Sequence, residues 1–209
     1  MCGRLLTPSA NMQNDIKEID AVKVIMISGK AQHGKDTTAG FLKEALEADG
    51  YSVLIAHYGD LVKYVCKTFF DWDGNKDERG RTLLQYVGTD VIRKQDENYW
   101  VRFIGQMLTF FNGEWDYVLI PDCRFPNEVD YLREMGLDAT HIRVVRTGFV
   151  SPLTAEQQAH PSETALDNTR PNYYIHNDGS QEDLREKVIQ WIVKTNGSHQ
   201  MTIEETTKE

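Results

Sequence analysis

The segment 22–38, VKVIMISGKAQHGKDTT, restricts the fold of this chain more than any other stretch. Its apolar run at residues 24–27 has no polar interruption, which is typical of a strand buried on both faces. Gly29, Gly34 and Lys35 then show the spacing of a P-loop: glycine, four residues, glycine and lysine. The backbone N–H groups of such a loop, with the N-terminus of the next helix, bind phosphate oxygens. The segment therefore predicts a cradle for the phosphates of a nucleotide.

The cradle departs from the usual pattern at one position. The residue after the lysine is normally Ser or Thr, whose hydroxyl binds magnesium, but here it is Asp36. A carboxylate beside a triphosphate is repulsive unless a cation lies between them. We therefore still expect Mg²⁺, held by Asp36 through water or by Thr37. The residues expected to bind ATP are Gly29, Ala31, Gln32, His33, Gly34, Lys35, Asp36, Thr37 and Thr38.

Composition and charge limit the class of protein. The 209 residues are 40% hydrophobic and 26% charged, which suits a single soluble domain with a sizeable core. The net charge of −9 argues against nucleic acid or an anionic membrane as a partner. Three cysteines without metal-ligand spacing and the lack of a long apolar run favour a cytoplasmic protein. Residues 1–21 are expected to be a loose extension and residues 197–209 a frayed tail.

Strands and helices are predicted to alternate between residues 22 and 196. Apolar runs at 24–27, 53–57, 115–121, 141–146 and 173–176 read as strands, and amphipathic segments lie between them. The predicted apolar stripes are Ala39, Leu42 and Leu46 on the helix after the cradle, and Leu61, Val65 and Phe69 on the helix after the second strand. Such alternation predicts an α/β fold of the P-loop type, a five-stranded parallel sheet flanked by helices.

Residues that follow the second strand are candidates for contact with a substrate. Ligands of open α/β sheets lie beyond the carboxyl ends of the strands, where this chain has His57, Tyr58 and Asp60. Asp60 is equally suited to be a plain helix cap. The capping-box pattern 82–85 predicts the start of a later helix, which carries Arg93. Arg93 is either a phosphate ligand or an ordinary exposed arginine.

The third strand delivers Asp122 at its carboxyl end, followed by Arg124. An acid at this place orders the water around magnesium in P-loop proteins, and the planar guanidinium of arginine matches a phosphate. The alternative is a surface set of ion pairs among Asp122, Arg124 and Glu128. With the cradle present, we favour the functional interpretation, in which Lys35, Asp122 and Arg124 are catalytic.

The segment 147–172 is long for a loop inside a compact domain, and such loops are usually functional. Residues 160–166 are expected to supply one short helix within it. In a phosphotransferase it would be a lid that shields the reaction from water. Arg146 at its start and Arg170 near its end would close on the phosphates. Glu163 would accept hydrogen bonds from a nucleobase.

The segments ISGKAQHGKDTTAGFL, LLQYVGTDVIR, PDCRFPNEVDYL and HPSETALD resemble the phage-type deoxynucleoside monophosphate kinases, a family of P-loop kinases. The resemblance covers about residues 22–191. It implies a monophosphate-binding region at about 58–112, a lid at about 147–172, and transfer of the ATP γ-phosphate to a deoxynucleoside monophosphate. The partner would be that small substrate, and the sequence leaves open whether the chain forms a homodimer.

The resemblance also assigns roles to single residues. Lys35, Asp36 and Thr37 match the ATP-phosphate motif of the family, and Asp122 with Arg124 matches its aspartate-x-arginine motif. Glu163 matches a serine-glutamate motif of the lid, and Lys30 is expected to touch the acceptor phosphate. The metal residues are then Asp36, Thr37 and Asp122, and the substrate residues are Lys30, Tyr58, Asp60, Arg93, Arg124 and Glu163.

Two other functions fit the same cradle. The first alternative is a P-loop kinase for another small phosphorylated acceptor, such as phosphomevalonate or dephospho-coenzyme A. The second is a non-catalytic nucleotide-binding module. The lid glutamate favours an acceptor with a base. A module without catalysis would not need a second set of cations opposite the cradle.

Overall fold

A computed structural model describes the backbone of residues 22–206 and the side chains of residues 22–195, so the predicted extension 1–21 lies outside the described residues. Five strands form one parallel sheet in the order β2-β3-β1-β4-β5. This confirms the predicted five-stranded parallel sheet. The strands are β1 (Lys23–Ser28), β2 (Val53–Ile55), β3 (Tyr117–Ile120), β4 (Asp138–Val145) and β5 (Tyr173–His176).

Helices cover both faces of the sheet. They are α1 (Lys35–Ala48), α2 (Gly59–Phe69), α3 (Glu78–Gln85), α4 (Tyr99–Phe110), α5 (Pro126–Glu134), α6 (Ala155–Ala159), α7 (Pro161–Thr164) and α8 (Gln181–Thr206). A π-helical segment, Tyr86–Arg93, follows α3 directly. The helix α8 runs past Asn196, where a frayed tail was predicted. None of the helices within residues 22–206 combines the length and apolar composition needed to cross a membrane.

The central strand β1 supplies both layers of the core. Side chains alternate between the two faces of a strand, so Val24 and Met26 pack with α2, α4 and α5, and Ile25 and Ile27 pack with α1 and α8. All four are buried, which confirms that the strand is covered on both faces. Because β1 lies between β3 and β4, the loop that follows it lies between the carboxyl ends of those two strands.

The helix after the cradle has the predicted buried stripe of Ala39, Leu42 and Leu46. The stripe predicted for α2 is confirmed only in part, since Leu61 and Val65 are partly buried against the core but Phe69 is 70% exposed. The fully buried side chains of this helix are Val62 and Cys66. The π-helical segment approaches Val62 closely, because a Cβ at Gly88 would lie only 3.3 Å from Val62 Cγ1.

The predicted start of α3 is also wrong. The helix begins at Glu78, and Asp77 is its cap, with its carboxylate accepting a hydrogen bond from the N–H of Gly80 at 2.7 Å. Thr82 lies within the helix and donates to the carbonyl of Glu78. Asp and Thr are both good caps, so a capping pattern on Thr82 did not exclude an earlier cap.

Candidate active site

The two glycines of the cradle are required by close approaches of the backbone. Gly29 has φ +147°, and a Cβ there would lie 2.4 Å from the carbonyl oxygen of Val144 on β4. Gly34 has φ +97°, and its Cβ would lie 2.5 Å from Nδ2 of Asn177 after β5. Asn177 also donates to the carbonyl of His33 at 3.0 Å. The loop is therefore held against β4 and β5 along its length.

Lys35 occupies the centre of the cradle. Its side chain is 8% exposed, and Nζ donates to the carbonyl of Lys30 at 2.9 Å. Burial, and next the positive charge of Arg124, lower the pKa of Lys35 to about 8. The ammonium group is still mostly protonated at neutral pH, and a bound phosphate would favour its charged form further.

Residues 36–38 point in different directions from the first turn of α1. Thr38 is buried and donates through Oγ1 to the carbonyl of Gly34 at 2.9 Å, so its hydroxyl supports the helix. Asp36 is exposed, and its Oδ1 lies 3.4 Å from Nε2 of His57. The other ring nitrogen of His57 lies 3.4 Å from Oδ2 of Asp60. The structure therefore brings together two acids that the sequence assigned to separate roles.

His57 joins these two acids at the end of β2. A hydrogen bond with Asp36 raises the pKa of His57, and the same interaction lowers the pKa of Asp36. The sequence placed His57 among the lining candidates by its position after the second strand. Asp60 is not the cap of α2, since it lies in the first turn and pairs with Lys63.

Asp122 is anchored to α2 across the sheet. Its two carboxylate oxygens accept hydrogen bonds from the backbone N–H groups of Tyr58 at 3.0 Å and Gly59 at 2.8 Å. The side chain of Tyr58 is buried, and its hydroxyl reaches the carbonyl of Glu128 at 3.4 Å. The prediction that the Tyr58 side chain lines the substrate site is therefore corrected, because that side chain belongs to the core.

Glu163 bridges the cradle and the aspartate-x-arginine motif. One carboxylate oxygen accepts from the N–H of Ala31 at 3.0 Å, and the other pairs with Nη1 of Arg124. The same Arg124 nitrogen donates to the carbonyl of Ser162 at 2.9 Å. Because this side chain is only 6% exposed and each oxygen has a protein donor, the geometry favours a contact of Glu163 with the protein over the expected contact with a nucleobase.

Lys30 contacts the predicted lid and lines the same cavity as Arg124. Its Nζ donates to the carbonyl of Glu163 at 2.6 Å and forms an ion pair with Asp167 at 2.6 Å. Lys30 thus has partners in the predicted lid, and its expected contact with the acceptor phosphate stays a prediction. Asp167 was not singled out from the sequence, although it ends the motif HPSETALD.

Arg93 belongs to a buried network around α5. Its terminal nitrogens donate to Glu128, to Asn127 and to the carbonyl of Glu97, and its guanidinium lies 3.8 Å from the ring centre of Phe125. Both partners of the ion pair are almost inaccessible, with Arg93 9% and Glu128 3% exposed. The structure therefore corrects both interpretations of Arg93, which is neither turned towards the cradle nor exposed.

Arg146 lies on the opposite side of the cradle, after β4. Its guanidinium stands over the ring of Phe149 at 4.6 Å, and its backbone N–H donates to Nδ1 of His33 at 3.2 Å. His33 in turn contacts the Phe149 ring edge-on, with 6.0 Å between centres. Arg170, also expected to close on the phosphates, is exposed near the end of the lid.

The lid is docked against α3. Gln157 is buried and donates to the carbonyl of Glu78 and to the hydroxyl of Thr82, and Gln85 reaches back to Gln157 and Ser162. The sequence predicted only one short helix in this segment, whereas α6 and α7 are both present. The signal that could have found Gln157 is the capping box that it forms with Thr154 at the start of α6.

The acids near the cradle suit a cation that also needs ligands from a nucleotide. Within the described residues, no group of three His, Cys, Asp or Glu side chains could hold a metal alone. Magnesium keeps several waters and binds through one or two carboxylates plus substrate phosphates. The exposed Asp36 and the partly satisfied Asp122 fit that need, and they do not form a complete protein cage.

Comparison of the sequence with known proteins adds an independent observation. A model of the family described as "Deoxynucleotide monophosphate kinase" matches residues 63–188. The match covers more than half of the chain and begins after the cradle. The family match and the interpretation of the cradle therefore rest on different residues.

Three relatives carry similar names. The deoxynucleotide monophosphate kinases of Enterobacteria phage T4 and Escherichia phage RB69 are 39% and 36% identical over 52% of this chain, and the match spans only 43% and 42% of their own lengths. A putative deoxynucleotide monophosphate kinase of Acanthamoeba polyphaga mimivirus is 26% identical, with 82% of this chain and 96% of that protein covered.

Solved structures agree on the fold. An APS kinase of Mycobacterium tuberculosis, in complex with AMPPNP and APS, is similar with a TM-score of 0.52 over 82% of this chain and 98% of that one. A sugar kinase from a Janibacter species gives 0.51, with 82% and 94% covered. Both are 15% identical, so they speak for the fold alone. The match of the family model over residues 63–188 shows that the chain belongs to the deoxynucleotide monophosphate kinase family.

Proposed function

We propose that this chain is an ATP-dependent deoxynucleoside monophosphate kinase, which transfers the γ-phosphate of ATP to a deoxynucleoside monophosphate and releases ADP and the diphosphate. The observation that carries the proposal is the place of Lys35 relative to Arg124. The cradle follows β1 and the aspartate-x-arginine motif follows the neighbouring β3, and one side chain, Glu163, contacts both through the N–H of Ala31 and Nη1 of Arg124. Two phosphate-binding groups on adjacent strands suit a donor and an acceptor that meet between them.

The reaction needs alignment and charge neutralisation more than a base. The attacking oxygen of a monophosphate is already anionic at neutral pH, so no group has to remove a proton from it. Lys35 and the backbone of residues 29–38 would bind the ATP phosphates, and Arg124 would bind the acceptor phosphate. Arg146 is proposed to close over the site from the start of the lid.

Magnesium would be held by Asp36 or Thr37 and by Asp122, with water and phosphate oxygens completing its shell. When bound, it would neutralise charge between the β- and γ-phosphates. The local residues then have separate tasks. Asp36 faces solvent at the start of α1, and Asp122 is fixed to the N-terminus of α2 by two hydrogen bonds.

The acceptor can be identified by a coupled assay of ADP release. Purified protein with Mg-ATP is given dGMP, dTMP, dCMP, dAMP or GMP in turn, and Lys35→Met protein purified in the same way controls for contaminating kinases. We expect turnover that depends on at least one deoxynucleoside monophosphate and is lost in the control. Binding of ATP without turnover on any of the five would contradict the proposal and favour another phosphorylated acceptor or a non-catalytic module.

A further inference from the structure

The carboxylate of Glu163 joins two phosphate-binding elements that come from different strands. Ala31 belongs to the cradle after β1, and Arg124 belongs to the motif after β3. Glu163 is on α7 of the lid, its side chain is 6% exposed, and its two oxygens are divided between those two residues. A carboxylate with one donor from each element fixes the distance between them.

Only part of the Arg124 guanidinium is used by the lid. The hydrogen bonds of this side chain to Glu163 and to the carbonyl of Ser162 both start from Nη1. In the described part of the chain, Nε and Nη2 make no hydrogen bond, and 34% of the side chain is exposed. Because the guanidinium is a rigid planar fork, fixing one nitrogen sets the direction of the others. The remaining donors are thus available to an anion from the solvent side.

We propose that Glu163 is a positioning residue, whose carboxylate holds Arg124 and the cradle in register so that the acceptor phosphate meets the donor phosphate. The inference rests on the proposed function and deepens it. Glu163 touches neither substrate in this role. It acts through Arg124, and its second oxygen keeps the cradle at the correct separation through the N–H of Ala31.

A second contact holds the same turn of the lid to the cradle. Lys30 donates to the carbonyl of Glu163 and pairs with Asp167. The Lys30–Asp167 pair is 41% and 49% exposed, and ion pairs of that kind contribute little. This contact orients α7, but it does not reach Arg124. The bridge between the two phosphate-binding elements depends on the carboxylate of Glu163.

A rival explanation makes the opposite prediction. Glu163 could act as a substitute anion that occupies phosphate-binding donors and has to leave before a substrate binds. Removing its charge would then strengthen binding and raise turnover at low substrate concentration. If Glu163 is a positioning residue, removing the charge weakens catalysis, because Arg124 and the cradle lose their common anchor.

The test compares Glu163→Gln with Glu156→Gln, the same change at an exposed glutamate on α6. Steady-state rates are measured with Mg-ATP and the preferred monophosphate. For Glu163→Gln we expect kcat to fall by about 10- to 100-fold, as misplacement on the order of 1 Å can cause, and KM for the monophosphate to rise. The KM of Glu163→Gln for ATP should stay within about twofold of the unaltered protein, because the other donors of the cradle remain. All kinetic parameters of the control Glu156→Gln should also stay within about twofold.

Unchanged kinetics in Glu163→Gln would overturn the proposal, and so would higher activity or tighter monophosphate binding, which would favour the rival explanation. A loss confined to the KM for ATP would also contradict it, since Arg124 would then not be affected.

Hydrogen exchange gives a readout that does not depend on catalysis. The N–H of Ala31 should exchange at least about tenfold faster in Glu163→Gln than in Glu156→Gln, because its acceptor loses its charge and its anchor. If no monophosphate is a substrate, this result still tests the bridge separately from the function, and unchanged protection of Ala31 would overturn it. Should Glu163→Gln fail to fold, Glu163→Asp keeps the charge but is one methylene too short to span both donors, and the same loss of protection is expected.

Discussion

Oδ2 of Asp122, at the end of β3, accepts a hydrogen bond of 2.8 Å from the backbone N–H of Gly59, the first residue of α2. The N–H of Tyr58 binds the other oxygen. The first N–H groups of a helix have no partner within it. Here the carboxylate of Asp122, which follows β3, supplies that partner. A Cβ on Gly59 would lie 3.0 Å from this oxygen, so the glycine permits the approach. The acid proposed for magnesium therefore also fixes α2 to the sheet.

Asp122→Asn tests both tasks of this side chain. The amide has one oxygen for two N–H donors and no charge, so we expect the free energy of unfolding to fall by about 1–2 kcal/mol, as for a lost cap. We also expect turnover to need a higher magnesium concentration, because an amide orders the metal's waters less well than a carboxylate. Urea unfolding and the rate as a function of magnesium concentration measure the two effects.

The matched control is Asp130→Asn, an exposed aspartate on α5. It should change neither quantity. If the magnesium dependence of Asp122→Asn superimposed on that of the unaltered protein while its stability fell, Asp122 would be a helix anchor without a metal role.

Arg93→Met should unfold more easily by about 3–5 kcal/mol, because it leaves the Glu128 carboxylate buried without a countercharge. The control is Arg102→Met, whose pair with Asp96 is 41% and 36% exposed and should cost less than about 1 kcal/mol. The double change Arg93→Met with Glu128→Gln should recover part of the loss, because Gln carries no charge and keeps an oxygen for the backbone N–H groups of Arg124 and Phe125, which Glu128 binds. Equilibrium unfolding in urea gives the three values.

The outcome also decides between the two roles considered for Arg93. If Arg93→Met kept its stability but lost affinity for the monophosphate, the arginine would be a phosphate ligand after all. The contacts with Glu128, Asn127 and Glu97 predict the reverse.

The stability of the protein should fall in acid through His141. This histidine is 1% exposed, and its Nε2 lies 2.7 Å from Oγ of Ser28. Burial, followed by the charges of Arg143 and Arg133, lowers its pKa from 6.5 to about 4. Between these two values the unfolded state binds more protons than the folded state, so stability is complete above pH 6.5 and declines as the pH falls towards 4.

The decline should amount to roughly 3 kcal/mol, from about 1.36 kcal/mol per unit of pKa. Unfolding free energies measured from pH 7 to 4 should show a smaller decline in His141→Gln than in the unaltered protein. His176→Gln, at a side chain that is 57% exposed, should follow the unaltered protein. Parallel curves for all three proteins would show that His141 does not govern the acid response.

The strand and helix order was predictable because it rests on local patterns. The strand β5 was predicted to the residue, and the stripe on α1 has the predicted members. The burial of Val62 on α2 was missed because it depends on Gly88, which lets the π-helical segment approach Val62. No period within α2 contains that information.

Site residues were predictable where their position after a strand determines their place. They were not predictable where a contact with a residue distant in sequence determines it. Asp122 and Arg124 follow β3 as expected, and Lys35 lies in the cradle. The lid glutamate was recognised by its motif, but its partners Ala31 and Arg124 are 132 and 39 residues away in sequence. The choice of Glu128 as the partner of Arg93 likewise depends on how α5 packs, which the sequence of either segment does not specify.

Lys35→Met should abolish turnover while the fold is retained. Loss of one preorganised charge at a phosphate typically costs about 10²- to 10³-fold in kcat, and we expect at least this much. The fold should survive because Lys35 carries a buried charge, and Met removes the cost of burying it. The pKa of Lys35 falls from 10.5 to about 8 on folding, so the unfolded state binds more protons between these two values. The stability of the unaltered protein should therefore rise with pH across that range, by on the order of 3 kcal/mol. Lys35→Met should lack this rise and be at least as stable at pH 7. Near-normal ADP release by the variant would remove the cradle from the mechanism, whereas an inactive variant that is also unfolded would contradict the electrostatic account of Lys35.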